Sequence, residues 1–401
     1  MSLPRLLKKK RMNVLGLNSG TSADGLDLAV IEIDRSRGRY RTRFLAGRTR
    51  KYPADLRRLI LNIADSKTTS LDDLIRLDQA LGMFCGHTAA LFVRNLRKQE
   101  IRIDAIASHG QTVRHIPQAK KITGQLVRGT LQIGNQEQVS ALTDRVVVGD
   151  FRQADIALGG EGAPITIAAM QRLFSSPDES RLIVNIGGIA NFFYFPPARS
   201  RLLPAASDCG PGNSLSDIIC QKLFRVAYDR GGRMASKGRI SQRLLTLLYG
   251  GAFLDRTTVS TGRELFGIEL AESIIKQGRK LKLSKSDILA TTAELTAVSI
   301  ADHIRIFIDR DSRLHKLYLT GGGVHNKFFI RRLREQFDKI GVVSITALGF
   351  NPDLVEASAY AVMGEACLRS EELPTCFDRV DRSNRNPILG RIAQPPRKRN
   401  R

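Results

Sequence analysis

The chain has 401 residues, 42% of them hydrophobic and 25% charged. These are ordinary globular proportions that exclude a disordered chain and leave material for more than one core. No apolar run approaches the roughly 20 residues of a membrane span. The net charge of +24 stands out, and nine basic residues within 1–12 and 395–401 account for less than half of it. An excess of this kind fits a nucleic-acid partner, an anionic surface or an anionic small substrate, and equally fits solvated basic faces with no such partner. With aromatics at 6% and no Trp, there is little to stack on bases, which weighs against nucleic acid.

The first element in chain order is a hairpin. Asn13–Asn18 reads as a strand, SGTSADG as a small polar turn, and Leu26–Ile33 as the returning strand. A Walker loop would instead carry GK[ST] and open a helix. Leu71–Leu96 has helical periodicity. Ser108-His109-Gly110-Gln111-Thr112 follows the strand-like IDAIA and reads as a polar cluster at a strand's carboxyl end, where α/β sites lie. His109 is there a candidate ligand contact, or else a structural histidine. In Gly149–Pro164, Arg152 stands ready for an anionic group, and Asp155 is either its local ion-pair partner or part of the site.

The hairpin pattern returns half a chain later. Leu182–Phe195 runs a strand into Gly187-Gly188 and out again, so the two halves read as similar units. Asp208 precedes a Gly-Pro-Gly-Asn turn, a rigid setting for a general base, though an Asp opening a turn is common. Neighbouring Cys209 reads as packing. Asp287–Asp309 predicts a long, mostly buried helix. Lys316–Thr320 runs into Gly321-Gly322-Gly323 and then a helical segment, a geometry suited to phosphates because a helix start offers unpaired N–H groups. Glu356 falls just inside a further helix, where it also suits the helix dipole. Three glycine loops together suggest backbone N–H concavities for phosphate, helped by the hydroxyls of Ser19, Thr21 and Ser22, with Asp24 and Asp27 as oxygen donors for Mg²⁺. The five cysteines show no metal or disulfide spacing and the N-terminus lacks a secretory apolar segment, so a reducing cytoplasm is expected.

Nine blocks in order resemble the anhydro-N-acetylmuramic acid kinase family: GLNSGTSADGLD, SHGQT, GDFRQADIALGGEGAP, NIGGIAN, DCGPGN, STGRELF, ATTAELTA, TGGGVHN and PDLVEA. The resemblance spans roughly residues 13–390. It implies an α/β, two-domain actin/Hsp70/sugar-kinase (ribonuclease H-like) fold with the nucleotide in the interdomain cleft. The expected division is 13–180 and 181–375, followed by a basic tail at 376–401. The implied activity is ATP-dependent opening of 1,6-anhydro-N-acetylmuramic acid with phosphorylation of O6, in cell-wall recycling, by a homodimer. Gly20, Thr21, Ser22, Ala23, Asp24, Gly25, Leu26 and Asp27, with the later glycine loops, would take ATP and Mg²⁺. Asp208 matches the catalytic aspartate and Glu356 a glutamate near the same water and sugar. The alternatives are a kinase of another sugar, or a non-catalytic ATP-binding protein associated with nucleic acid. Four places depart from the family pattern: Asn18 replaces Met, Glu161 replaces Gln, Tyr360 replaces Phe, and Ser-Asp-Cys replaces Phe-Asp-Thr before GPGN.

Overall fold

A computed structural model describes residues 3–20, 22–66, 68–197, 200–249, 266–311, 314–337, 340–375 and 386–396. Thr21, Cys376 and the STGREL stretch at 260–265 lie outside the described residues. The chain forms two compact units, Met1–Leu173 with Leu354–Arg401, and Phe174–Asp353.

In the first unit β1 (Arg11–Ser19), β2 (Gly25–Asp34) and β3 (Arg41–Lys51) form an antiparallel meander. β4 (Ala105–Ile122) lies parallel to β1, and β6 (Val146–Gly149) parallel to β4, while β5 (Gln125–Ile133) returns along the distal half of β4. The hairpin expected at 13–33 is therefore present. The SHGQT cluster, by contrast, does not end its strand. Gly110, at φ +74°, kinks β4, and the chain exchanges its neighbours β1 and β6 for β5. One face of this sheet is closed by the helix Leu71–Arg97, whose Leu77, Leu81, Cys85 and Ala89 join Leu15, Leu17 and Ile106 in the core.

In the second unit β7 (Arg181–Ile186), β8 (Ala190–Phe195) and β9 (Ala205–Gly210) form another antiparallel meander. β10 (Lys316–Thr320) and β11 (Gly341–Ser344) extend it in parallel on the β7 side. The long helix predicted at 287–309 is present as Lys285–Arg310, started by a capping box between Ser284 and Asp287.

The expected boundary at 375 falls elsewhere. The helix Val355–Leu368 belongs to the first unit, as does β12 (Arg391–Ala393), which pairs antiparallel with β6. The described part of the tail thus supplies a sheet edge. The helix is apolar almost all round, so it must be covered on every side. It lies against β1 where Gly16 stands, since a Cβ there would be 1.8 Å from the Ala357 carbonyl oxygen.

Glu365 is fully buried on that helix. It takes Arg35 Nη2 at 2.6 Å and Arg369 Nε at 2.9 Å, while Glu371 takes Arg35 and, at 2.9 Å, Arg172. Replacing Glu365 by Gln leaves the two guanidiniums short of charge, and both retain some contact with water. A loss of about 2 kcal/mol follows, below the 3–5 of a fully enclosed pair, measurable by urea unfolding. The hydrogen bond from Arg35, and then that from Arg172, hold the Glu371 carboxyl below its usual range against the opposing effect of burial. The folded chain therefore binds fewer protons here than the unfolded one. This contribution is complete above the ordinary glutamate value and fades as pH falls through the depressed one, so Glu371→Gln flattens the acid side of the stability profile.

Candidate active site

In the first unit the β1–β2 turn is held from below by Gln111. Its carboxamide accepts from the Ser19 hydroxyl and donates to the Gly20 carbonyl at 3.2 Å. Ala23, at φ +50°, donates to the same carbonyl at 3.1 Å. A Cβ on Gly20 would meet nothing within 4 Å, so space lies open above the turn. Asp24 is exposed and ion-paired to Arg57 at 2.9 Å, and Asp27 accepts from the Thr49 hydroxyl. Ser22 is exposed; Gly25 and Leu26 are buried at the start of β2.

The same unit brings together residues from segments distant in the chain. Buried Asn18 donates to Glu356 Oε2 at 2.9 Å, and Glu356 is exposed in the first turn of its helix. One turn on, the Tyr360 ring stacks on His109 at 4.5 Å. Arg152 Nε donates to His109 Nε2 at 3.1 Å, and its Nη1 to the Gly162 carbonyl at 3.2 Å. Asp155 is buried. It accepts from the Gly162 N–H at 2.7 Å and from the Thr375 hydroxyl, so it fixes the GGEGAP loop. Burial, and then the neighbouring guanidinium of Arg152, keep His109 well below its ordinary pKa.

In the second unit two of the three expected glycine loops, Gly187-Gly188 and Gly321–Gly323, converge with the Gly-Pro-Gly-Asn turn that follows Asp208. The N–H groups of Asn213 and Ser214 donate to the carbonyls of Gly187 and Gly188 at 2.9 and 3.1 Å, and Asn213 Nδ2 reaches Ile186 O at 3.0 Å. A Cβ on Gly321 would lie 2.4 Å from Asn185 Oδ1, and one on Gly323 2.2 Å from Ile186 Cγ2. Gly322 faces Asn213, with its virtual Cβ 3.9 Å from Nδ2. Asp208 is half-buried on β9, opposite Asn191 of β8, two residues before this junction. Cys209 is buried, and that burial, reinforced by the Asp208 charge, pushes its thiol up. A neutral, enclosed thiol fits packing.

Sequence reasoning left Gln111, Asn18 and Asn213 without roles. Gln111 and Asn213 lay within quoted motifs, but their bonds run to carbonyls that no spacing rule identifies.

Both sheets contain the same five-strand order, an antiparallel meander extended on its first strand by two parallel strands, to which the first sheet adds β5 and β12. That order, repeated in one chain with a turn joining the first two strands of each meander, defines the ribonuclease H-like actin/Hsp70/sugar-kinase class. The chain belongs to the anhydro-N-acetylmuramic acid kinase family, whose model matches residues 12–395. It is 33% identical to the anhydro-N-acetylmuramic acid kinase of Salinibacter ruber, covering 98% of this chain and 99% of that protein. It is 35% identical to that of Trichormus variabilis, covering 95% and 97%. Among solved structures, the activator of the 2-hydroxyisocaproyl-CoA dehydratase from Clostridium difficile aligns with a TM-score of 0.41 at 13% identity, over 90% of this chain and 96% of that one. The chain is thus a phosphotransferase of the sugar-kinase type, and among its described residues no helix is long and apolar enough to cross a membrane.

Proposed function

We propose that the chain opens 1,6-anhydro-N-acetylmuramic acid hydrolytically and phosphorylates O6 from ATP, giving N-acetylmuramic acid 6-phosphate. The observation that carries this reading is family membership across residues 12–395, with an Asp at 208 beside the junction of two glycine loops with the Gly-Pro-Gly-Asn turn. In the anhydro sugar O6 is bonded to C1 and has no proton to lose. Asp208 takes a proton from water as the water oxygen bonds to C1. The C1–O6 bond breaks, O6 bonds to the γ-phosphorus, and the bond from that phosphorus to ADP breaks. Glu356, held by Asn18, is the second carboxylate assigned to the reaction. Arg152 pairs with the carboxylate of the sugar's lactyl group, and Asp155 serves by holding the loop that Arg152 grips.

The open turn at Gly20–Asp27 and the loops at Gly187-Gly188 and Gly321–Gly323 are assigned to ATP. Asp24 and Asp27 fit Mg²⁺, an ion that takes one or two carboxylates and completes its shell with phosphate and water. When bound it neutralises phosphate charge. The reading includes a homodimer and a reducing, cytoplasmic setting. The four described cysteines, all buried and unpaired, are in keeping with the latter.

Turnover in ¹⁸O-water, followed by mass spectrometry of the product, tests the reaction. Heavy oxygen is expected at the anomeric position and none in the phosphate ester. A product without the label, or phosphorylation confined to sugars that already carry a free O6 hydroxyl, would reject ring opening.

A further inference from the structure

His109 touches a cation, and that contact decides what the ring can do. It is 5% exposed on β4, flat against Tyr360 with the ring planes 21° apart, and Tyr360 in turn packs on Phe151 at 5.5 Å. Its Nε2 faces Arg152 Nε at 3.1 Å. A guanidinium has five N–H donors and no acceptor, so Nε2 must accept. The ring is therefore neutral with its proton on Nδ1, a buried atom on the side of the Gly110 backbone. Protonating Nε2 would set donor against donor and cation against cation. Such a ring is not available as a proton carrier or as a positive charge for an anionic sugar.

What it does instead is visible at Arg152. The guanidinium is held at Nε by His109 and at Nη1 by the Gly162 carbonyl, and it also meets the Tyr360 hydroxyl. Gly162 is fixed through its N–H by Asp155, and Asp155 by Thr375. Two anchors on different nitrogens set both the position and the plane of a fork whose value lies in planar recognition of carboxylates. We propose that His109 is a positioning residue that orients the Arg152 fork for the substrate's lactyl carboxylate and does not itself touch the sugar. This rests on the proposed reaction and adds to it the origin of the preference for an acidic sugar.

The test uses the full-length protein with two anhydro sugars, one bearing the lactyl carboxylate and 1,6-anhydro-N-acetylglucosamine, which lacks it. His109→Leu keeps an apolar body of similar size and removes the acceptor. It is expected to raise KM for the acidic sugar about 10-fold, the scale of one hydrogen bond to a charged group, with kcat within about threefold. The carboxylate-free sugar loses nothing further. His109→Gln, whose amide oxygen can accept from Arg152, restores most of the lost affinity. An equal loss on both sugars, a loss mainly in kcat, or no rescue by Gln would overturn the proposal. A second readout is independent of turnover. Ring ¹⁵N spectra, with His109 assigned by the signal that His109→Gln removes, should show a neutral Nδ1–H tautomer, and an Nε2-protonated or charged ring sinks the idea whatever the kinetics. If the wild-type chain turned over neither sugar, the kinase reading would fall, while the ring nitrogens would still report on this contact.

Discussion

Asp208→Asn is expected to lower kcat by about 10³-fold, within the range assigned to a positioned general base, while ATP affinity stays within a few-fold. The substitution is nearly isosteric, and it leaves in place what holds this stretch of chain. β9 remains paired with β8, Cys209 remains buried, and the Cys209 carbonyl still accepts from Ser299 at 2.9 Å. The glycine loops contact one another through Gly187, Gly188, Asn213 and Gly321, all of which the substitution leaves in place, so nucleotide affinity is expected to survive it. What the amide cannot do is accept a proton from water. Titration with a non-hydrolysable ATP analogue separates the two quantities, and single-turnover phosphorylation measures the step itself. Residual turnover above a tenth of wild type would remove Asp208 from the role of base, and a parallel loss of nucleotide affinity would mark it as a binding group.

How much of this was legible in the sequence depends on distance along the chain. The hairpins at 13–33 and 182–195 were readable because alternation and a glycine turn are local signals, and the strand leading into Gly321 was readable for the same reason. The convergence of 185–188, 210–214 and 321–323 was not. It is made largely by backbone atoms of segments that are not neighbours in the chain, the last of them more than a hundred residues beyond the other two, and close approach leaves no mark beyond the glycines themselves. The unit boundary failed for a related cause. The apolar composition of Val355–Leu368 says that this helix is enclosed but not which sheet encloses it. Asn18 shows the limit most sharply. As a letter it is a departure from the family pattern, and in the structure it is a buried amide spent on Glu356, a carboxylate 338 residues away. The internal ion pairs of Arg35 and Arg369 with Glu365, and of Arg332 with Glu294, set base against acid, so the net charge of +24 is carried by other basic residues.

The second large effect is expected at Gly212. Its φ of +53° lies where L side chains are strained by about 1–2 kcal/mol. A methyl group there would fall 2.5 Å from Gly187 O and 2.6 Å from Gly188 O. Neither oxygen can retreat alone, since each already accepts an N–H, from Asn213 at 2.9 Å and Ser214 at 3.1 Å. Gly212→Ala therefore pushes the GPGN turn off the second hairpin and weakens both bonds, at about 1 kcal/mol each, so the local cost is on the order of 3 kcal/mol. The displaced turn carries the chain that follows Asp208, and displacements near 1 Å cost about 100-fold in a positioned reaction. A fall of that size in kcat/KM is expected, with earlier protection loss at residues 185–188 and 210–214 in hydrogen exchange. Gly20→Ala supplies the contrast. A Cβ there meets nothing within 4 Å, so the protein should keep its stability, and any loss of ATP affinity would come from the nucleotide and not from the fold. Gly212→Ala within threefold of wild type in kcat/KM would mean that the junction of the glycine loops is packing alone.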